Sequence, residues 1–144
     1  RVDLSALAVA ANEELARREP ERAVTTIVAP NLVVAADGRL MRILLDNLLG
    51  NAWKFTSKQP AAQIELGAEG DVFFVRDNGA GFDMSQSSRL FTPFHRLHTD
   101  GEFKGTGIGL ATVLRIVERH GGRIWAEGSV GQGAKISFTI PPER

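Results

Sequence analysis

The sequence lacks several residue types and patterns, and each absence excludes a class of protein. Its 144 residues include no cysteine, which excludes a disulfide framework, a thiolate zinc site and a cysteine nucleophile. Its 17 Lys+Arg balance its 17 Asp+Glu, which argues against a nucleic-acid or anionic-membrane surface as its main partner. No apolar run approaches the roughly 18 residues of a membrane span, and the start lacks the layout of a signal peptide. We expect one cytoplasmic domain over residues 1–144, with no nucleic acid and no direct membrane contact.

The spacing of apolar residues predicts an α+β fold. Helical periodicity covers 4–18, 38–56 (with Asp37 as N-cap) and 108–120, where Gly121-Gly122 is expected to stop the helix. Strands are predicted from β-branched or alternating runs over 22–29, 32–35, 63–68, 72–75, 123–127 and 134–140, with 22–29 adjacent to 32–35 and a hairpin turn at Glu69-Gly70-Asp71. Because the paired strands require hairpins, the expected fold is a two-layer α/β sandwich. Its mixed, mostly antiparallel sheet of about five strands would be covered on one face by about three helices.

The segment from 77 to 109 is polar and punctuated by glycine, and only residues near 84–90 favour a short helix. A connection of this length without regular structure is uncommon in a compact domain, where it is typical of a lid or a binding loop. We therefore expect a long lid or a binding loop in this part of the chain.

Two asparagines lie one turn apart in the predicted second helix, within NLLGNAWKFT at 47–56. Asn47 and Asn51 share one helix face, although asparagine is unfavourable in a helix interior. Two interpretations stay open from these residues alone. The amides face solvent or bond a neighbouring helix, or their oxygens ligate a hard cation such as Mg²⁺ whose other positions phosphates and water fill.

A glycine-rich stretch, RDNGAGFD at 76–83, follows a predicted strand that ends at Asp77. Gly79 and Gly81 would let the backbone turn and approach a ligand closely. A strand that merely ends in an Asx-type turn would have the same pattern.

Two further glycine-rich stretches are EFKGTGIGLA at 102–111 and SVGQGAKISF at 129–138. Gly105, Gly107 and Gly109 lead directly into a predicted helix, and free N–H groups at a helix N-terminus favour a phosphate. The spacing is neither GxxxxGK[ST] nor GxGxxG. The last stretch fits a simple hairpin turn as well.

In this order the stretches resemble the motifs of the ATP-binding catalytic domain of sensor histidine kinases, in the GHKL superfamily with its Bergerat fold. NLLGNAWKFT resembles the N box, DNGAGF the G1 box, FTPFHRLH the F box, GTGIGLA the G2 box and GQGA the terminal glycine motif. The resemblance covers nearly the whole chain, and 91–128 is most similar to phytochrome-like histidine kinases. It implies ATP and Mg²⁺ as ligands and a mobile ATP lid over 91–104.

The resemblance also implies roles for individual residues. Asp77 would accept a hydrogen bond from the adenine amino group, and Asn51 would ligate Mg²⁺ with the support of Asn47. Lys54 would reach a phosphate as a point charge. Phe55 would contact adenine or ribose, with a plain core aromatic as the alternative.

The remaining implied contacts lie in the glycine turns and the lid. Backbone approach to the nucleotide is implied for Gly79, Gly81, Gly105, Thr106, Gly107, Ile108 and Gly109. Leu110 would pack beside the base or in the core. Arg96 matches an arginine that contacts the terminal phosphate, with a solvated surface arginine as the alternative, and Lys104 is a further phosphate candidate.

The implied activity is that of a protein-histidine kinase catalytic domain in a bacterial two-component system. It would donate the γ-phosphoryl group of Mg-ATP to a histidine on a dimerisation domain of the same kinase, which then serves a response regulator receiver domain. None of His95, His98 and His120 stands in the His-Glu or His-Asp pair of a phosphoacceptor. We therefore expect a monomeric fragment without its dimerisation domain, unable to phosphorylate itself.

Two alternatives to this activity stay open. One is a GHKL serine kinase or ATPase, although Asn47 stands where hydrolysing members carry a glutamate base. The other is a non-catalytic module that senses nucleotide through closure of its lid.

Overall fold

The structure is a computed structural model that describes residues 1–85, 91 and 109–142. Within these residues the helices are α1 (Leu4–Arg18), α2 (Gly38–Phe55) and α3 (Gly109–Arg119). The strands are β1 (Val2–Asp3), β2 (Val24–Val28), β3 (Val33–Val34), β4 (Ala62–Glu69), β5 (Val72–Asp77), β6 (Ile124–Gly128) and β7 (Ala134–Phe138). None of the helices in these ranges is both long enough and apolar enough to cross a membrane.

The helix boundaries follow the local chemistry of the sequence. The Asp37 carboxylate accepts from the N–H groups of Arg39 and Leu40 at 2.9 and 3.2 Å, which caps α2. At the C-terminal end of α3, Gly121 adopts a φ of 77° and the N–H of Gly122 donates to the Val117 carbonyl. This pattern is a left-handed turn that ends α3. The predicted cap and the predicted stop are both confirmed.

The main sheet has five strands in the order β2-β4-β5-β7-β6. The β2–β4 pair is parallel and the other neighbours are antiparallel. The hairpin between β4 and β5 closes through a two-residue turn in which Gly70 has a φ of 62°. All three helices contribute to one core with the inner face of this sheet. The structure therefore confirms the α+β sandwich with a mixed, mostly antiparallel sheet.

One predicted pairing is wrong, because β2 and β3 are not neighbours. β3 forms a separate two-stranded sheet with β1. The chain leaves the main sheet at Asn31, whose φ of 62° is left-handed. Ser5 holds this turn, because its hydroxyl donates to the Ala29 carbonyl at 2.6 Å and accepts from the Leu32 N–H at 3.0 Å. The two β-branched runs predicted adjacent strands. In the structure the turn between them is instead held by the Ser5 hydroxyl of α1.

Candidate nucleotide-binding site

Asn47 lies on α2 against the first residue of α3. Its Nδ2 donates to the Ile43 carbonyl at 2.9 Å, which leaves Oδ1 pointing away from its own helix. A Cβ atom added to Gly109 would lie 2.9 Å from that Oδ1. The glycine therefore lets the N-terminus of α3 approach the Asn47 amide more closely than any other residue could.

Asn51 lies one turn further along α2 and is half-buried. Among the residues that the structure describes, none forms a hydrogen bond with its side chain. An amide oxygen of this kind is a suitable ligand for Mg²⁺. No three His, Cys, Asp or Glu side chains in the described ranges gather as a metal cluster. A cation held here would therefore take its charge balance from phosphates.

Lys54 and Phe55 occupy the last turn of α2, and both are half-buried. The Lys54 Nζ lies 5.2 Å from the centre of the Phe55 ring, within the range of a cation–π contact. This contact keeps the lysine's positive charge on the same helix end as the aromatic ring. A phosphate candidate and a base or ribose candidate thus adjoin each other.

The turn after β5 is joined to the end of α2. Asp77 Oδ1 accepts from the Gly79 N–H at 2.8 Å, and the Ala80 N–H donates to the Phe55 carbonyl at 3.0 Å. A Cβ atom on Gly79 would collide with that same carbonyl. Glycine is therefore required here for a contact within the chain, between this turn and the end of α2.

Asn78 anchors this turn, and the sequence analysis gave it no role. Its Oδ1 accepts from the Gln63 N–H at 2.8 Å and its Nδ2 donates to the Ala61 carbonyl at 2.9 Å. Both amide groups are thus committed to the start of β4. The available signal was an Asn directly after the strand-ending aspartate, since such residues hydrogen-bond the backbone in turns.

The terminal glycine motif packs against the same turn. It forms the loop between β6 and β7, and the Gly131 N–H donates to the Ala80 carbonyl at 2.7 Å. Gly81 has a φ of 67°, and a Cβ atom there would collide with the Ser129 carbonyl. The stretch is the hairpin turn that the sequence allowed, and it also supports the loop after Asp77.

Asp77 is the residue of the candidate site whose pKa is raised. In the sheet it lies opposite Ile64 and Ala134, on the inner face, where the backbone N–H groups of Gly79 and Ala134 donate to it. Burial outweighs these two donors and raises the pKa of Asp77 to about 6. At pH 7 the side chain is therefore mainly a carboxylate, an acceptor without a proton to donate.

A stripe along α2 connects the two ends of the site. Asn47, Asn51 and Phe55 follow each other at intervals of one turn and extend over about 12 Å. The N-terminus of α3 lies at one end of this stripe and the Asp77–Gly79 turn lies at the other. We call Asn47, Asn51 and Phe55 the α2 stripe. Its two ends are the N-terminus of α3 and the Asp77–Gly79 turn.

Several predicted site residues cannot be placed. Arg96, Lys104, Gly105, Thr106, Gly107 and Ile108 lie outside the described residues. So do His95, His98 and nearly all of the expected lid and of the short helix near 84–90. Phe91 is described, and it packs against the core. Leu110 is a buried member of that core, which was one of its two expected positions.

The fold is an α+β sandwich that carries a candidate nucleotide-binding site. The chain belongs to the family described as histidine kinase-, DNA gyrase B- and HSP90-like ATPases, whose model matches residues 36–144. Membership of this family implies that the chain binds ATP.

Three comparisons refine the family. The chain is 50% identical over 113 residues to cyanobacterial phytochrome A of Nostoc sp. (strain PCC 7120), covering 76% of this chain and 14% of that protein. The mycobacterial sensor histidine kinase MprB superposes with a TM-score of 0.78 at 23% identity, covering 97% of this chain and 95% of that one. This likeness concerns the fold alone.

Full-length ShkA, solved in complex with AMPPNP, also superposes with a TM-score of 0.78, at 32% identity, covering 97% of this chain and 30% of that one. These findings confirm the resemblance to histidine kinase catalytic domains and to phytochromes. The chain spans only 14% of the length of the phytochrome relative.

Proposed function

We propose that this chain binds Mg-ATP and donates the γ-phosphoryl group to a histidine on the dimerisation domain of the same kinase. The observation that carries the proposal is the α2 stripe, because one helix face joins a helix N-terminus, two amides and a buried carboxylate. A nucleotide needs these groups in this spatial order: donors for the phosphates, oxygens for the metal and an acceptor for the base. The phosphorylated histidine would then serve the receiver domain of a response regulator.

Asp77 would select adenine. Above its pKa of about 6 the carboxylate only accepts hydrogen bonds. The adenine amino group donates to such an acceptor, whereas the guanine carbonyl oxygen would face it acceptor to acceptor. We therefore expect ATP to bind more tightly than GTP.

The metal and phosphates would lie along the rest of the stripe. The unpartnered Asn51 amide fits a magnesium ligand, and the Asn47 oxygen lies beside the start of α3, where a helix N-terminus favours anions. The metal supplies neutralisation of phosphate charge when bound. Lys54 would orient a phosphate as a point charge. Arg96, Lys104 and the backbone over 105–108 complete the proposed phosphate contacts.

The arrangement favours transfer over hydrolysis. An amide such as Asn47 cannot take a proton from water at neutral pH. The adjacent Asp46 offers no substitute base, since it is exposed and its Oδ1 accepts from the Arg42 guanidinium at 2.9 Å. A site without a water-activating base suits phosphoryl transfer to an imidazole nucleophile, with catalysis by positioning.

The test is a transfer assay with a supplied partner. The chain would be fused through a flexible linker to a histidine kinase dimerisation domain, because tethering raises the effective concentration. With γ-labelled ATP, we expect acid-labile label on the partner's histidine and none on the chain alone. Phosphate release without label would favour the ATPase alternative. Nucleotide binding with neither label nor release would favour a sensing module.

A further inference from the structure

His120 joins two helices that are distant in sequence. It follows α3 directly, and its Nδ1 lies 2.8 Å from the Ile116 carbonyl one turn earlier. Its Nε2 accepts from the backbone N–H of Asp37, the N-cap of α2, at 3.2 Å. Since a carbonyl only accepts, Nδ1 carries the proton and Nε2 offers its lone pair. One neutral imidazole therefore links the end of α3 to the beginning of α2, across 83 positions of sequence.

This link and the Gly109–Asn47 contact hold opposite ends of the same helix. The end of α3 lies at the start of α2, and the start of α3 lies beside Asn47, so the two helices run antiparallel. From Asp37 to Asn47 the helix rises about 15 Å, and from Gly109 to His120 it rises about 16 Å. The distance between the two contacts is therefore similar along both helices.

The apolar contacts of α3 and the histidine set this register together. Val113, Ile116 and Val117 are buried and decide which face of α3 points inward. Burial itself is non-directional, while the interlocking of side chains between helices opposes a slide along the axis of α2. A hydrogen bond from a capped backbone N–H to one ring nitrogen is directional and is lost after such a slide.

We infer that His120 is a positioning residue for the nucleotide site: by joining the end of α3 to the N-cap of α2 it fixes where the N-terminus of α3 lies beside Asn47. The effect on nucleotide rests on the proposed function. The effect on α3 itself does not, because it is a property of the unliganded chain.

Two substitutions separate the roles of the two ring nitrogens. In His120→Gln the longer side chain places an oxygen near the position of Nε2, where it accepts from the Asp37 N–H. In His120→Asn the shorter amide reaches the Ile116 carbonyl and stops short of Asp37. Ser5→Ala is the matched control, since it removes two long-range hydrogen bonds, to Ala29 and Leu32, and neither partner belongs to α3.

Hydrogen exchange of the unliganded protein measures the register directly. The first four N–H groups of a helix have no partner within it. We therefore expect His120→Asn to lose protection in the next turn of α3, at the N–H groups of residues 113–116, while β4 and β5 keep theirs. His120→Gln restores the protection, and Ser5→Ala leaves that turn unchanged. Equal exchange in the wild type and His120→Asn would overturn the inference.

Titration with Mg-AMPPNP then measures the consequence. At a temperature where all variants are folded by circular dichroism, we expect His120→Asn to bind about tenfold more weakly, the size of coupling that packed elements transmit. His120→Gln and Ser5→Ala should bind like the wild type. Unchanged affinity in His120→Asn would refute the link to the site. A wild type that binds no AMPPNP would refute the proposed function, while the exchange result still decides the role of His120.

Discussion

The buried carboxylate of Asp77 lowers stability at neutral pH, and replacing it should show this. Burial raises its pKa from 3.8 to about 6. Between these two pH values the folded protein keeps a proton that the unfolded chain has lost, so stability falls as the pH rises through this window. A shift of about two units at about 1.4 kcal/mol each corresponds to about 3 kcal/mol. Above about pH 7 both states are ionised and the cost stays constant.

The perturbation is Asp77→Asn, which keeps an oxygen for the Gly79 N–H but carries no charge. In urea denaturation from pH 4 to 8, the variant should match the wild type near pH 4. It should gain on the wild type up to about pH 7, then remain more stable by at most about 3 kcal/mol.

The control is Asp83→Asn, since the Ser85 N–H holds the pKa of that exposed carboxyl below its usual range. Because a lowered pKa changes stability only at and below about pH 4, this variant should differ from the wild type by a nearly constant amount between pH 4 and 8. A stability difference between the wild type and Asp77→Asn that does not vary with pH would refute the reasoning.

Four further expectations test the α2 stripe and its two ends. Asn51→Ala should abolish the magnesium-dependent part of nucleotide affinity in calorimetry with and without EDTA, whereas Asn51→Asp should keep it; equal magnesium dependence in both would contradict the ligand role. Gly79→Ala should cost about 2–4 kcal/mol in urea denaturation because its Cβ meets the Phe55 carbonyl, and Gly50→Ala, with open space around it in α2, should stabilise by about 0.5–1 kcal/mol. Asn47→Glu should raise phosphate release from ATP at least tenfold by supplying a base, and release at the wild-type rate would argue against that position as the base slot. In competition binding, ATP should displace a labelled nucleotide at lower concentration than GTP; equal potency would remove Asp77 from base selection.

The elements that sequence predicted well are those whose signal is local. Asp37 and the Gly121–Gly122 pair mark helix ends through interactions within a few residues, and the structure has both as expected. The hairpin at Gly70 is equally local. Each depends on backbone conformations that only certain residue types favour, so the amino acids themselves carry the information.

The failures concern interactions between residues far apart in the chain. The β2–β3 pairing looked local, yet a hydroxyl on α1 decided it, through bonds from Ser5 that cross 24 and 27 positions. The links from Asn78 to the start of β4 and from His120 to Asp37 are of the same kind. A sequence read one segment at a time contains no signal for which side chain will meet a given backbone group.

The glycines of the predicted motifs explain why residues that are separated in sequence lie together in the fold. Gly79 and Gly81 were predicted to let the backbone approach a ligand, but each meets a protein carbonyl, of Phe55 and of Ser129. Gly109 similarly admits the Asn47 amide. These close approaches bring the strand end, the helix end and the terminal turn together, and any ligand then meets surfaces that protein packing has already assembled. A binding defect in a glycine variant of this site therefore reports lost assembly as readily as a lost ligand contact. Asn51→Ala and Asp77→Asn alter a side chain without placing a Cβ atom against a backbone carbonyl. These two variants therefore test a ligand contact more directly than a glycine variant does.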